Sequence, residues 1–128
     1  MRRNKEKIMP VETEYMIDMR GVHKCYQMGT TKLPVLKDIH FSVSPGEFLA
    51  ILGPSGSGKS TLMNVIGCMD SFDQGEYYLD GIPVHQIREK EMTGIRNEKI
   101  GFIFQNYHLI PTYTVLQNVI MPLLMRGM

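Results

Sequence analysis

The 128 residues carry 14 basic and 13 acidic side chains, and a net charge of +1 excludes a protein that holds polyanions by charge alone. With 43% apolar residues there is bulk for a single core, yet no stretch approaches the ~18 to 20 apolar residues of a membrane-spanning helix. Two cysteines, Cys25 and Cys68, lie too far apart in sequence for a disulfide framework or a metal-ligand pair and are expected as free thiols, and His23, His40, His85 and His108 show no zinc-site spacing.

Residues 1–11 read as a basic polar tail, where Arg2, Arg3, Lys5 and Lys7 crowd a short segment. The chain then turns to Glu12, Thr13 and Glu14 rather than into the apolar stretch of a secretory signal. Glu14 to Tyr26 predicts a strand, with Tyr15, Ile17 and Met19 alternating against Glu14, Met16 and Asp18. A turn region from Gly29 to Pro34 separates it from a second strand over Leu36 to Val43, where Ile39, Phe41 and Val43 alternate with Asp38, His40 and Ser42. Ser44-Pro45-Gly46 breaks that pattern. Phe48-Leu49-Ala50-Ile51-Leu52 is then a continuous apolar run, the signature of a strand buried on both faces.

Gly53 to Ser60 reads G-P-S-G-S-G-K-S, the Gly-x-x-x-x-Gly-Lys-Ser pattern of a phosphate-binding loop, and Ser60 to Ile66 runs on without Gly or Pro as a helix. Phosphates need many hydrogen-bond donors converging in a small space, and a glycine-rich turn leading into a helix N-terminus supplies backbone N–H groups and the positive end of the helix dipole. Gly53, Gly56 and Gly58 let the backbone take conformations closed to other residues and approach the phosphates closely; Pro54, Ser55, Ser57 and Thr61 complete the loop and the first helical turn. Lys59 reaches the β and γ oxygens, and the Ser60 hydroxyl is suited to one coordination position on Mg²⁺. The expected ligand is a magnesium nucleotide, ATP or GTP.

Beyond this helix, 67–74 is irregular and Gly75 to Gly81 predicts a short strand closed by the Asp80-Gly81 turn. Residues 86–97 form a charged helix candidate interrupted at Gly94, and Ile100 to Phe104 predicts a second buried strand ending at Gln105. Thr114 and Gln117 stand at capping-box spacing before a last helix.

These segments together resemble the ATP-binding subunit of ATP-binding cassette transporters. The resemblance runs through Val22-His23-Lys24-Cys25-Tyr26, Leu36-Lys37-Asp38-Ile39, the phosphate loop, Gly67-Cys68-Met69-Asp70, Gly75-Glu76-Tyr77 and Ile100-Gly101-Phe102-Ile103-Phe104-Gln105, and covers residues 12–128. Ile66 to Asp70 and Gly75 to Gly81 look most like the branch of lipoprotein-releasing, macrolide-export and antimicrobial-peptide-export ATPases. It implies an α/β P-loop NTPase fold with an N-terminal antiparallel β part and a helical arm beginning after about residue 105. It places Tyr26 where an aromatic ring stacks on adenine, with a core-facing strand tyrosine as the alternative. Gln105 falls where a glutamine contacts Mg²⁺ or the attacking water and couples to the membrane partner, so the resemblance makes Lys59 and Gln105 the catalytic candidates and Ser60 and Gln105 the Mg²⁺ ligands. Residues from Asn106 to Pro111 would lie near a membrane permease subunit.

The implied protein works as a dimer with a second nucleotide-binding subunit, binds no nucleic acid, and sits in the cytoplasm on the inner face of the cell membrane through its permease. The family's Leu-Ser-Gly-Gly-Gln signature, its Walker B carboxylates and its switch histidine fall past the position matching Met128. The resemblance is therefore to the N-terminal half of one nucleotide-binding domain, and the 128-residue chain by itself is not expected to turn over ATP. Alternatives are a non-hydrolysing nucleotide-binding remnant, a half-domain completed by another chain, or a small P-loop kinase; only Arg88, Arg96 and Arg126 follow the loop, few for a kinase lid. A GTPase is disfavoured because no Asn-Lys-x-Asp guanine reader occurs.

Overall fold

The alternation read over 38–43 is a real strand face in the computed structural model, which describes residues 8–128: Ile39, Phe41 and Val43 turn inward while Asp38, His40 and Ser42 are exposed. The cations Arg2, Arg3, Lys5 and Lys7 of the basic tail lie outside the described residues. Strand β1 (Ile17–Met28) pairs antiparallel with β2 (Thr31–Val43) in a long hairpin, registered Ile17 to Val43 at one end and Met28 to Thr31 at the other. The turn is tighter than the expected 29–34 loop. Gly29, at φ +61, takes the left-handed conformation that closes it, so Leu33 and Pro34 pair within the ladder.

After α1 (Lys59–Ile66), β3 (Gln74–Leu79) pairs antiparallel with the other edge of β1, and β4 (Ile82–Pro83) completes the order β2-β1-β3-β4. Asp80 (φ +49) and Gly81 (φ +76) form the expected Asp-Gly turn, both central residues left-handed as a twisted hairpin requires. A short 3₁₀ turn (Val84–Gln86) leads to α2 (Glu89–Lys99), which runs straight through Gly94. A mid-helix glycine costs only about 1 kcal/mol. Here Glu89 and Glu91 at the start and Arg96 and Lys99 at the end also complement the helix dipole. Helix α3 (Val115–Met125) opens on the expected capping box: Gln117 N donates to Thr114 Oγ1 at 3.2 Å and Thr114 N donates to Gln117 Oε1 at 2.8 Å.

Chain contacts divide into two units, one running to Arg88 and one spanning Glu89–Met128. The core of the first unit is built on Met19, Val22, Val65 and Tyr77, all fully buried. Burial pushes the Tyr77 phenol far up, so it stays protonated and donates to Ile66 O at 2.8 Å, fastening the end of α1 to the sheet. At the crossing of β3 with the β1 bulge, Gly75 sits at φ +102, and a Cβ there would run into the Gly21 carbonyl and Val22 Cα. A Gly75→Ala variant is therefore expected to lose about 2 to 4 kcal/mol of stability through combined clash and backbone strain. Denaturant unfolding measures it, and a variant within error of the parent would show that the bulge absorbs the methyl.

Two expected strands do not form. Residues 48–52 and 100–104 carry no regular secondary structure and pair with no strand among the described residues. Far from being buried on both faces, Phe48 and Leu52 are 94% and 90% exposed and Ile103 is 96% exposed. An apolar run acquires strand structure only when a neighbour completes its hydrogen-bond ladder and covers its faces, and neither condition is met here. The Phe104 ring instead stacks on His108, with centroids 4.4 Å apart.

Candidate nucleotide-binding site

The phosphate loop forms its turn even without a paired strand before it, but Gly53 takes no positive φ, and what a side chain there would meet is Ser57 Oγ, 2.7 Å from the Cβ position. The turn closes with Ser57 N donating to Pro54 O at 3.2 Å, and Gly56 and Gly58 both take positive φ, +78 and +94. Only glycine holds these angles without strain. Gly58 is the N-cap of α1, and no side chain caps the helix, so the amides of Lys59, Ser60 and Thr61 at its first turn have no intrahelical acceptor. These donors and the helix dipole together make a cradle for an anion.

Lys59 bends back over the loop. Its ammonium donates to Gly53 O and Pro54 O, both at 2.6 Å, and to Ser57 Oγ at 3.3 Å. The cation is thus fixed at the mouth of the cradle, where an arriving anion exchanges for carbonyl partners. The Ser60 hydroxyl, one residue on, has no protein hydrogen-bond partner among the described residues, and a hard, unengaged oxygen beside a phosphate cradle is a donor that suits Mg²⁺.

The wall beside the loop comes from β2. A Cβ on Gly58 would meet Val35 O at 3.1 Å and Val35 Cγ1 at 3.2 Å, so the hairpin rests directly on the first turn of α1. Leu33, Pro34, Val35, Lys37 and Ile39 line an open cavity of about 430 Å³ there together with Gly56 and Ser57.

Tyr26, near the end of β1, is 37% exposed and does not put its ring in the core. Its hydroxyl donates to Asp70 Oδ2 at 2.8 Å, and Lys24 Nζ stands 5.0 Å from the ring centroid while donating to Asp70 Oδ1 at 2.9 Å. Burial works against the Asp70 carboxylate, but hydrogen bonds from Lys24 and Tyr26, the Lys24 charge and the Ser71 amide together outweigh it and hold its pKa below the usual carboxylate value. Asp73 adds a second tie, accepting from Cys25 N at 2.6 Å while its own N donates to His23 O at 2.8 Å.

The loop residues 53–61 and Tyr26 all belong to the first unit, whereas Gln105 belongs to the second, exposed and without a protein hydrogen-bond partner among the described residues. Lys24, Val35, Asp70 and Asp73 were not singled out by sequence reasoning. Lys24 and Asp70 fall within the runs that carry the family resemblance, but their contact spans 46 positions of chain and no local spacing announces it. In the second unit, Asn118 pins the segment before α3, its side chain accepting from Ile110 N at 2.8 Å and donating to Thr114 O at 3.0 Å.

Residues 36–126 match the family described as ABC transporter. An uncharacterised ABC transporter ATP-binding protein of Bacillus subtilis, YvrO, is 50% identical over 109 residues, covering 85% of this chain and 48% of the relative. The macrolide export ATP-binding/permease protein MacB of Bdellovibrio bacteriovorus is also 50% identical over 109 residues, 85% of this chain and 17% of its own length. Among solved structures, the dimeric cassette MJ0796, a protein of Methanocaldococcus jannaschii, superposes with a TM-score of 0.82 at 46% identity, covering 87% of this chain and 48% of that one. A further structure of that cassette holds ADP and Pi in a post-hydrolysis state. The chain spans about half the length of the curated ATP-binding relatives it matches.

Proposed function

The chain belongs to the ABC transporter family, and from that membership we propose that it is the nucleotide-binding part of an ATP-binding subunit that couples ATP binding and hydrolysis to a membrane permease of the export or lipoprotein-release type. The observation that carries the reading is the uncapped first turn of α1 beneath the Lys59 ammonium, an anion cradle with a cation already at its mouth. Lys59 serves the β and γ phosphates and the amides of residues 58–61 hold their oxygens. Ser60 would hold Mg²⁺, which supplies charge neutralisation on the phosphates when bound. Gln105, on this reading, answers to the permease through the segment Asn106 to Pro111.

The Tyr26 ring has Lys24 over one face, and the opposite face receives the adenine. A second copy of the subunit completes a dimer, as in the solved MJ0796 cassette. No described helix is long and apolar enough to cross a membrane; separately, on this reading, the permease holds the subunit at the inner membrane face.

Titration with Mg-ATP tests the site through its base end. A Tyr26→Ala variant is expected to bind ATP roughly 5- to 100-fold more weakly, the loss of one aromatic platform under a base, while inorganic tripolyphosphate, which has no base, binds both proteins alike. Unchanged ATP affinity in the variant would remove Tyr26 from the site; no saturable binding of either ligand to the parent would remove the site.

A further inference from the structure

Among the described residues, Asp70 is the group that touches both the hydroxyl of the proposed base platform and the cation beneath it. It accepts from Tyr26 through one oxygen and from Lys24 through the other. The Lys24 side chain is 8% exposed and lies against one face of the ring, so Tyr26 is held at its edge and on that inner face while 37% of the residue stays exposed. Asp70 is itself tied to the C-terminal half of α1, the helix whose first turn forms the cradle: its backbone N, and that of Met69, donate to Asn64 O, at 3.2 and 2.8 Å. Ser71 N closes on Asp70 Oδ1 at 2.8 Å and stops the carboxylate from turning. A continuous path therefore runs from the phosphate-binding first turn of α1, down the helix, to the carboxylate and across to the ring on β1.

Resting on the ATP-site reading above, we propose that Asp70 is a positioning residue that sets the Tyr26 ring at a fixed place relative to the phosphate cradle, so that base and triphosphate are bound in register. Lys24 contributes by filling the inner face and by keeping the carboxylate ionised. The nucleotide touches neither side chain. Their effect is confined to the part of the affinity that comes from the base.

That confinement makes the role measurable. Mg-ATP and inorganic tripolyphosphate are titrated in parallel into the full chain and into Asp70→Ala, Asp70→Asn, Tyr26→Ala and the Asp70→Ala/Tyr26→Ala pair. Asp70→Ala is expected to lower the ratio of ATP to tripolyphosphate affinity by roughly 3- to 10-fold, the scale of one or two lost hydrogen bonds. Asp70→Asn keeps an acceptor for the Tyr26 hydroxyl and the shape of the side chain, so it lowers the ratio less, and it carries the test if the alanine variant binds neither ligand. With Tyr26 already replaced by alanine, removing Asp70 is expected to change the ratio no further. A parallel fall in both ligands' affinities would mean that Asp70 only supports the fold and would overturn the proposal, as would an undiminished effect in the Tyr26→Ala background. If Tyr26→Ala itself leaves the ratio unchanged, the base platform falls and the role of Asp70 with it.

Discussion

A Lys59→Ala variant is expected to lose Mg-ATP affinity by roughly 10- to 100-fold, on the scale of charge-assisted hydrogen bonds, and in a full-length subunit to abolish turnover, while melting with the parent. The asymmetry between function and stability follows from what the ammonium touches. Its partners, Gly53 O, Pro54 O and Ser57 Oγ, lie in an exposed loop where water replaces a lost donor at little cost. Nothing replaces it against a triphosphate, because the remaining cradle donors are neutral amides. Parallel calorimetric melting and nucleotide titration check both halves. A variant that retained near-normal nucleotide affinity would remove the phosphate-loop assignment, and one that failed to fold would show that the lysine's carbonyl bonds hold the loop together.

The second large effect concerns the apolar segment ahead of the loop. The 128-residue chain on its own is expected to self-associate as its concentration rises, because Phe48 and Leu52 stand 94% and 90% exposed on a segment whose backbone has no ladder partner among the described residues. Each such side chain gains about 1.5 to 3 kcal/mol on burial, a large share of the roughly 5 to 15 kcal/mol that holds a domain folded. Sedimentation velocity over a concentration series reads the effect. Phe48→Ser with Leu52→Ser is expected to shift the distribution toward monomer without disturbing the hairpin, whose ladder lies elsewhere in the chain. A parent chain that sediments as a sharp monomer throughout would show that these side chains are harmless where they stand.

The features legible in the sequence were those whose cause is local. Gly56 and Gly58 of the phosphate loop, the Asp80-Gly81 turn and the Thr114 to Gln117 capping box each depend on residues a few positions apart, and each has the geometry its spacing implies, whereas Gly53 takes no positive φ. The alternation of Ile39, Phe41 and Val43 was equally readable, since one strand face carries the whole signal. The runs at 48–52 and 100–104 misled because their apolar character records a preference for burial, and whether burial occurs depends on a pairing partner. Lys24 and Asp70 were invisible for the related reason that their meeting depends on how α1 returns the chain to β1. Tyr26 carried a role through resemblance alone, and the network beneath its ring could not be read from its position in β1.

The contact between Val35 and Gly58 limits how this hairpin can vary over evolutionary time. With the Val35 carbonyl and methyl group already within about 3 Å of where a Gly58 Cβ would stand, neither partner has slack. A drift to a bulkier residue at position 35 would be transmitted as a displacement of the first turn of α1, even though Val35 offers no chemistry of its own. Sequence freedom in β2 is therefore uneven: outward positions such as Ser42 can change with the solvent as their only judge, whereas Val35, packed on the loop, is tied to the fate of a glycine 23 residues downstream.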